Sequence, residues 1–478
     1  MKYFLLLSAM ALPVLSSTIY AQQKIEKFWG NKGYDVCYSA AATTDGGYIL
    51  TGLTQSGTDP NGDIIVIKTN ASGNMLWTMV EGGPKLEGGN NVIQTADGGY
   101  MVSGHTQDYG ASDCDAFLMK VDKAGNKLWL KIYGGQFDDI CEGTIEMPDG
   151  SFVFAGITAS YGNGGIDGNR HVYFVKTNSM GEKIWEKYYA GSGAEYAYSI
   201  AAMPRGGFLA VGWTTSFGKG EHDAWLLRLT DNGDTVWTRR YVREGDSRYF
   251  KILPTSDNGY MLAGYTTQTM TSKPQGLIVK LDADGKQLWE KTYGMNTDSM
   301  LLHDVAELPD GNFIFSGTTF QNDPGGTVYI LTTDAMGNRL YDEVCGGSYS
   351  TANCIAIQGN NGYLVAGSSI NNGDLYSDLY YRIVNNTVTG IPTQTISWPH
   401  MYPNPMTAQT SVILLPEEEA YQTVHIDITT TTGKLISHQE NILAKDIVVD
   451  RKLYPAGNFL YRITCKDGKV FKGKFVVE

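Results

Sequence analysis

One unit of about fifty residues returns seven times along this chain, and a period of that length restricts the fold to architectures that stack like modules around a shared core. The turn Asp45-Gly46-Gly47 followed by YILTG returns as Asp97 with YMVSG and Asp149 with FVFAG, then before FLAVG, YMLAG, FIFSG and YLVAG. The glycines that close these segments are Gly52, Gly104, Gly156, Gly212, Gly264, Gly317 and Gly367, at spacings of 52, 52, 56, 52, 53 and 50. Each unit reads as four short strands, A to D; in the first they cover approximately 38–43, 48–54, 63–69 and 75–80. Strands A and B join through the DGG turn, where glycine supplies the positive φ of a tight hairpin. Strands C and D join through a second turn, Asn70 with Gly73 or Asp122 with Gly125, which suits a type I turn closed by a glycine bulge.

Strand D opens on a large aromatic: Trp77, Trp129, Trp185, Trp237, Trp289 and Tyr341. A ring at one strand position in nearly every unit is the mark of packing between units rather than of a ligand platform. Strand B is apolar on both faces, so each sheet is covered on both sides. Four-stranded sheets with that property, repeated every fifty residues, stack radially, and the fold class expected is all-β: a seven-bladed β-propeller over 22–385. With 57 Gly and charged residues at only 18 %, disorder and coiled coil are excluded. The net charge of −13 argues against nucleic acid or anionic lipid as the main partner.

The seventh unit ends after its third strand, near 378–384, without an aromatic strand D. The segment Ile25-Glu26-Lys27-Phe28-Trp29-Gly30 aligns with strand D of another unit, Trp289-Glu290-Lys291-Thr292-Tyr293-Gly294, and is expected to complete the seventh sheet and remove its bare edge. Ahead of it, residues 1–21 read as a secretory signal peptide: Lys2, an apolar run over 4–15, then Ser16, Ser17 and Ala21. That run is too short to span a bilayer and no later apolar run is longer, so no transmembrane segment is expected in the mature chain. Six cysteines, Cys37, Cys114, Cys141, Cys345, Cys354 and Cys465, are too sparse for a disulfide framework and read as buried small hydrophobes with room for one bridge. Neither they nor the seven scattered His show zinc spacing, and no cofactor or metal motif is present.

Beyond a linker at 386–400 the periodicity changes. Strands near 410–415 and 424–429, the turn Thr432-Gly433-Lys434, and strands from Gly457 and Gly473 predict a small Ig-like β-sandwich over 401–478. This segment resembles the type A C-terminal sorting domain of the type IX secretion system of Bacteroidota. The resemblance is carried by Tyr402-Pro403-Asn404-Pro405, Gly433 in the TGK turn, Gly457 of the G-x-F strand start, and Lys474 in the closing GKFVV. It implies the type IX machinery as a partner and a destination at the outer-membrane surface or outside the cell. The repeats resemble secreted bacterial propeller repeats of the DGGY…LW type, a group without a common activity.

No motif places a catalytic set. The C to D turn differs in register from the sialidase Asp box, and Asp282-Ala283-Asp284-Gly285 does not meet the quinoprotein dehydrogenase pattern. Propeller sites lie where the B to C and D to A connections meet the central funnel. On these connections and strand ends stand Asp108, Tyr109 and Tyr161, with His105, Trp213 and Tyr265 at one equivalent position just after the strand B glycine. Aromatics beside carboxylates grip glycans or peptides, so the expected function is binding of a glycan or protein ligand, the alternative being a polysaccharide hydrolase or lyase with acids from several blades. Asp35, Asp139 and Glu195, ten residues ahead of the DGG position, are expected to act as turn acceptors. Deleting Lys24 to Trp29 should sharply lower the melting temperature of the repeat domain; an unchanged melt would reject closure by this segment.

Overall fold

The computed structural model describes residues 21–387 apart from 31–32, 57–59, 111–112, 163–168, 217–220, 242–244, 270–271, 295–298, 322–324, 360–361 and 371–375. It also describes 400–477 apart from 403–409, 415–422, 431–433, 444–446 and 467–469. The expected signal peptide up to residue 20 and most of the linker lie outside the described residues. Residues 21–387 form one compact unit and the C-terminal segment belongs to another.

The first unit contains seven four-stranded antiparallel sheets among the described residues, here sheets 1 to 7: 35–81, 87–133, 139–189, 195–241, 247–293, 300–345, and 351–387 with Ala21–Trp29. In sheet 1 the strands are Asp35–Ala42, Tyr48–Thr54, Asp63–Thr69 and Met75–Glu81, in the order A-B-C-D. Strand A packs against strand A of the next sheet, and that of sheet 7 against that of sheet 1, so the series closes on itself. The core is accordingly not one mass but seven apolar layers, one at each interface between sheets. Strands B and C, buried throughout in sheet 1, feed two such layers at once.

Strand A begins three residues earlier than expected, because a β-bulge divides it. The register of sheet 1 runs Asp35↔Thr54 to Cys37↔Gly52, skips Tyr38, and resumes at Ser39↔Thr51. The same skip occurs in all seven sheets. A bulge reverses the in-out alternation, so a period-two reading loses the first half of the strand. It also explains the glycine that closes every repeat. A Cβ on Gly52 would stand 1.8 Å from the carbonyl oxygen of Val36, and the equivalent distances in the other six sheets are 1.8–2.1 Å.

Two further repeated contacts tie the sequence signature to packing. Each Trp of strand D lies on the turn glycine of the following sheet: Trp77 on Gly125, Trp129 on Gly181, Trp185 on Gly233, Trp237 on Gly285 and Trp289 on Gly337, where a Cβ would meet the ring at 2.8–3.1 Å. These glycines hold φ between +72° and +91°, as the expected bulged turn requires. The turn aspartates accept from buried lysines of strand C: Lys68 on Asp45 at 2.9 Å, Lys120 on Asp97 at 2.9 Å and Lys280 on Asp257 at 2.7 Å. Partial burial works against the Asp97 carboxylate, yet hydrogen bonds from Thr95 and Lys120 hold it at about 2.

The leading segment pairs with the last strand of sheet 7, Asp378–Thr387, as expected, and over a longer stretch, Ala21–Trp29. Its register runs from Ala21↔Thr387 to Trp29↔Leu379. Side chains support it: Lys24 bridges to Glu343 at 2.9 Å, Tyr380 donates to Glu26 at 3.1 Å, and Phe28 packs on Tyr380 at 5.3 Å between centroids.

The C-terminal unit has a three-stranded sheet, His400–Tyr402, Thr410–Leu414 and Val448–Asp450, and a four-stranded sheet of order Leu435–Leu443, Thr423–Thr430, Gly457–Cys465, Val470–Val477. Ile413 and Val449 from the first share a core with Ile426, Phe459 and Phe475 from the second. Gly457 opens its strand opposite Val477 and Lys474 pairs with Leu460, whereas Pro403, Asn404, Pro405 and Gly433 lie outside the described residues.

Gly156→Ala should destabilise the repeat unit by about 3 kcal/mol, since strand A must shift to admit the methyl group. Chemical denaturation reads this, and a loss below about 0.5 kcal/mol would contradict the carbonyl contact.

Candidate functional site

A bulged residue has no cross-strand partner, and its side chain is released from the alternation that sends its neighbours into the layers between sheets. The seven skipped residues are Tyr38, Asn90, Glu142, Tyr198, Phe250, His303 and Asn353, and all seven line one central cavity of about 430 Å³. Each stands fourteen residues before the closing glycine of its repeat. That spacing was present in the sequence, but the residue type changes from unit to unit, so no motif announces it.

The ring is chemically uneven. Burial pushes the Glu142 carboxyl up to about 7, so a proton resides there at neutral pH for much of the time. It accepts from Asn90 Nδ2 at 3.4 Å, an amide that also donates to the carbonyl of Cys141 at 3.0 Å. Burial lowers His303 to about 4, leaving a neutral imidazole stacked on Phe250 at 5.2 Å. His105 also faces the cavity and is held at about 4, chiefly by burial, and its Nδ1 has no hydrogen-bond partner among the described residues. Burial raises the Tyr38 and Tyr198 hydroxyls, keeping both protonated. Lys251 pairs with Asp304 at 3.3 Å, and the same carboxylate accepts from the backbone of Val305 and Ile355 at 2.8 and 2.9 Å.

Behind the ring, sheets 4 and 5 build an aromatic wall. Trp213 stacks on Tyr196 at 4.5 Å and donates from Nε1 to the Tyr198 hydroxyl at 3.2 Å. Tyr198 and Tyr265 both meet Phe250, at 5.4 and 5.7 Å. The Arg248 guanidinium lies over Trp213 at 5.1 Å and over Tyr265 at 5.9 Å, and Asp246 fixes it while accepting from the Tyr265 hydroxyl at 2.6 Å. These contacts lock the rings that carry the cavity surface.

The residues singled out in the sequence therefore divide. His105 lines the cavity, and Trp213 and Tyr265, both buried, back its wall. Asp108, Tyr109 and Tyr161 are not brought to it. Asp108 accepts from the Lys85 backbone at 2.9 Å, Tyr109 donates to Glu81 at 3.0 Å, and Tyr161 donates to the Gly134 carbonyl at 3.0 Å while stacking on Tyr188. All three brace connections. The carboxylates expected to serve turns do so: Asp35 accepts from Thr54, Gln55 N and Ser56, Asp139 from Gly135 N and Ser160, and Glu195 from Gly191 N, Thr214 and Ser216. Among the described residues no group of three or more His, Cys, Asp or Glu is arranged to hold a metal.

Residues 400–478 match the family described as the secretion system C-terminal sorting domain. The chain is thus a type IX secretion cargo, exported to the cell surface or released. Among the described residues no helix is long and apolar enough to cross a membrane. No curated protein matches the chain. Among solved structures, a protein of unknown function from Dyadobacter fermentans is 12 % identical, with 77 % of this chain and 99 % of that one covered and a TM-score of 0.45. The extracellular domain of a putative one-component system from B. thetaiotaomicron is 10 % identical, covering 94 % of this chain and 60 % of that chain, with a TM-score of 0.41. A puromycin hydrolase variant is 12 % identical over 93 % of this chain and 58 % of its own, with a TM-score of 0.48.

The Glu142 carboxyl gives a pH signature. Its pKa is raised on folding, so its contribution is fully present below the unfolded value near 4.5 and is lost as pH rises through about 7. Glu142→Gln, which removes the ionisation, should therefore melt about 2 °C or more above the parent at pH 8 and at the same temperature as the parent at pH 4. Parallel melting curves for the two proteins across that range would refute the assignment.

Proposed function

We propose that this protein is an exported seven-bladed propeller, residues 22–385, preceded by a signal peptide at 1–21 and joined by a linker at 386–400 to an Ig-like sorting domain at 401–478. In this reading the propeller binds a glycan or protein ligand at its central cavity, and Pro403, Asn404, Pro405, Gly433, Gly457 and Lys474 carry the sorting signal. The observation that supports binding is the set of seven bulges, which aim seven unlike side chains at one cavity backed by locked aromatic rings. A cavity of about 430 Å³ suits the end of an oligosaccharide chain or of a peptide better than a flat protein surface. Phe250, Tyr38 and Tyr198 supply faces for stacking, His105 and Glu142 supply hydrogen bonds, and Trp213 and Tyr265 hold the stacking rings. Asp108, Tyr109 and Tyr161 are outer contacts for a ligand long enough to reach the loops.

The alternative, a polysaccharide hydrolase or lyase, draws on one observation, a glutamic acid that stays protonated near neutrality as a general acid must. Glycoside hydrolysis in its usual form asks for a second carboxylate facing the same bond. The other acid bordering the cavity, Asp304, is occupied by Lys251 and two backbone amides, which favours binding.

A glycan array and a polysaccharide degradation screen on the exported protein separate the two. We expect retention of a ligand without soluble product, and a loss of affinity of about tenfold in Phe250→Ala and in Tyr198→Ala. Release of product that disappears in Glu142→Gln, with no retained ligand, would replace the binding reading by the enzyme.

A further inference from the structure

Among the described residues, the seam between sheets 7 and 1 carries a feature that none of the other six interfaces has. Cys37 lies in strand A of sheet 1, just before the bulge, and Cys354 lies just after the bulge in strand A of sheet 7, Thr351–Ile357. Their Sγ atoms stand 3.8 Å apart although the residues are 317 positions apart in sequence. Both thiols are nearly inaccessible, at 0 % and 2 % exposure. The backbones are tied together at this point, since Asn353 Nδ2 donates to the Cys37 carbonyl at 2.8 Å. At the equivalent interface of sheets 2 and 3 the same two positions hold Asn91 and Cys141, so a lone thiol there has no sulfur to meet.

We propose that Cys37 and Cys354 are joined by a disulfide in the exported protein, a covalent latch across the seam that Ala21–Trp29 closes by hydrogen bonds. A disulfide requires a sulfur separation of about 2.05 Å, so each sulfur has to move by less than about 1 Å, which small changes in the two χ1 angles supply. The destination favours it, because disulfides persist in exported proteins. The oxidant is a disulfide, carried by a thiol oxidoreductase or by a small disulfide compound. Cys354, which borders the cavity, attacks the oxidant's disulfide as a thiolate and expels one of its sulfurs as a thiol, giving a mixed disulfide. The Cys37 thiolate then attacks Cys354 Sγ and expels the second sulfur. Two protein thiols thereby lose two protons and two electrons, and the oxidant leaves as its dithiol. Burial pushes the Cys354 thiol well up, so exchange is slow in the closed ring and proceeds as the seam comes together.

Peptide mapping tests this on the full exported chain, denatured and alkylated without reduction. The expected result is a linked pair of peptides containing Cys37 and Cys354, lighter than their sum by two hydrogens, with Cys114, Cys141, Cys345 and Cys465 alkylated. Reduction should lower the melting temperature of the parent by roughly 5 °C and leave the double variant Cys37→Ala, Cys354→Ala unmoved. Alkylation of both residues in the exported protein, and again after incubation with oxidised glutathione, would overturn the proposal. So would pairing of either residue with a different cysteine. The mapping needs no variant, so it stands even if the double variant fails to fold.

Discussion

A backbone carbonyl pressed onto a glycine, seven times over, governs this structure. In sheet 1 the Val36 oxygen occupies the space that any side chain on Gly52 would need. The bulge that brings the carbonyl there also turns the strand's alternation over, so Cys37 and Ser39 both remain buried while Tyr38 between them points elsewhere. Without the glycine, strand A would pair regularly, one set of side chains would leave the layers between sheets, and the central cavity would lose its lining. Core and site are therefore consequences of one local geometry, repeated.

Stability is spread over interfaces rather than concentrated in sheets. No sheet has a core of its own; each apolar layer draws residues from two neighbours, as Met101 of sheet 2 does with Phe154 of sheet 3. The tryptophan laid on the next turn glycine acts between sheets, and the lysine held by the turn aspartate acts within sheets 1, 2 and 5. The buried lysines are the less obvious choice, since an apolar residue would avoid desolvating an ammonium group. Their partners lie in the A to B turn, so the ion pair fixes which turn conformation the hairpin adopts.

Much of this was legible. The period, the two turns, the strand D aromatics and the closing glycine all obey backbone rules that one sequence displays, and the match over 400–478 agrees with the tail read from Tyr402, Gly457 and Lys474. The cavity was legible only in part. His105, Trp213 and Tyr265 were found through their place beside the strand B glycine. The bulge residues were missed because a bulge breaks period two and because Tyr, Asn, Glu, Phe and His share no pattern. Asp108, Tyr109 and Tyr161 drew notice as aromatics and acids on loops, and hydrogen bonds to nearby backbone and side chains account for them. An acid that looks free in a sequence is commonly satisfied by an amide a few residues away, which spacing cannot reveal.

The pairing of Ala21–Trp29 with Asp378–Thr387 makes the first strand of the domain wait for the last. Until more than three hundred intervening residues have folded, one molecule presents an unaccompanied strand and a vacant groove of matching shape. Two molecules crowded together at that stage can satisfy each other, each lending its beginning to the other's end. Dilution, or any tether that keeps the two ends of one chain close, favours the solitary ring over such exchanged pairs.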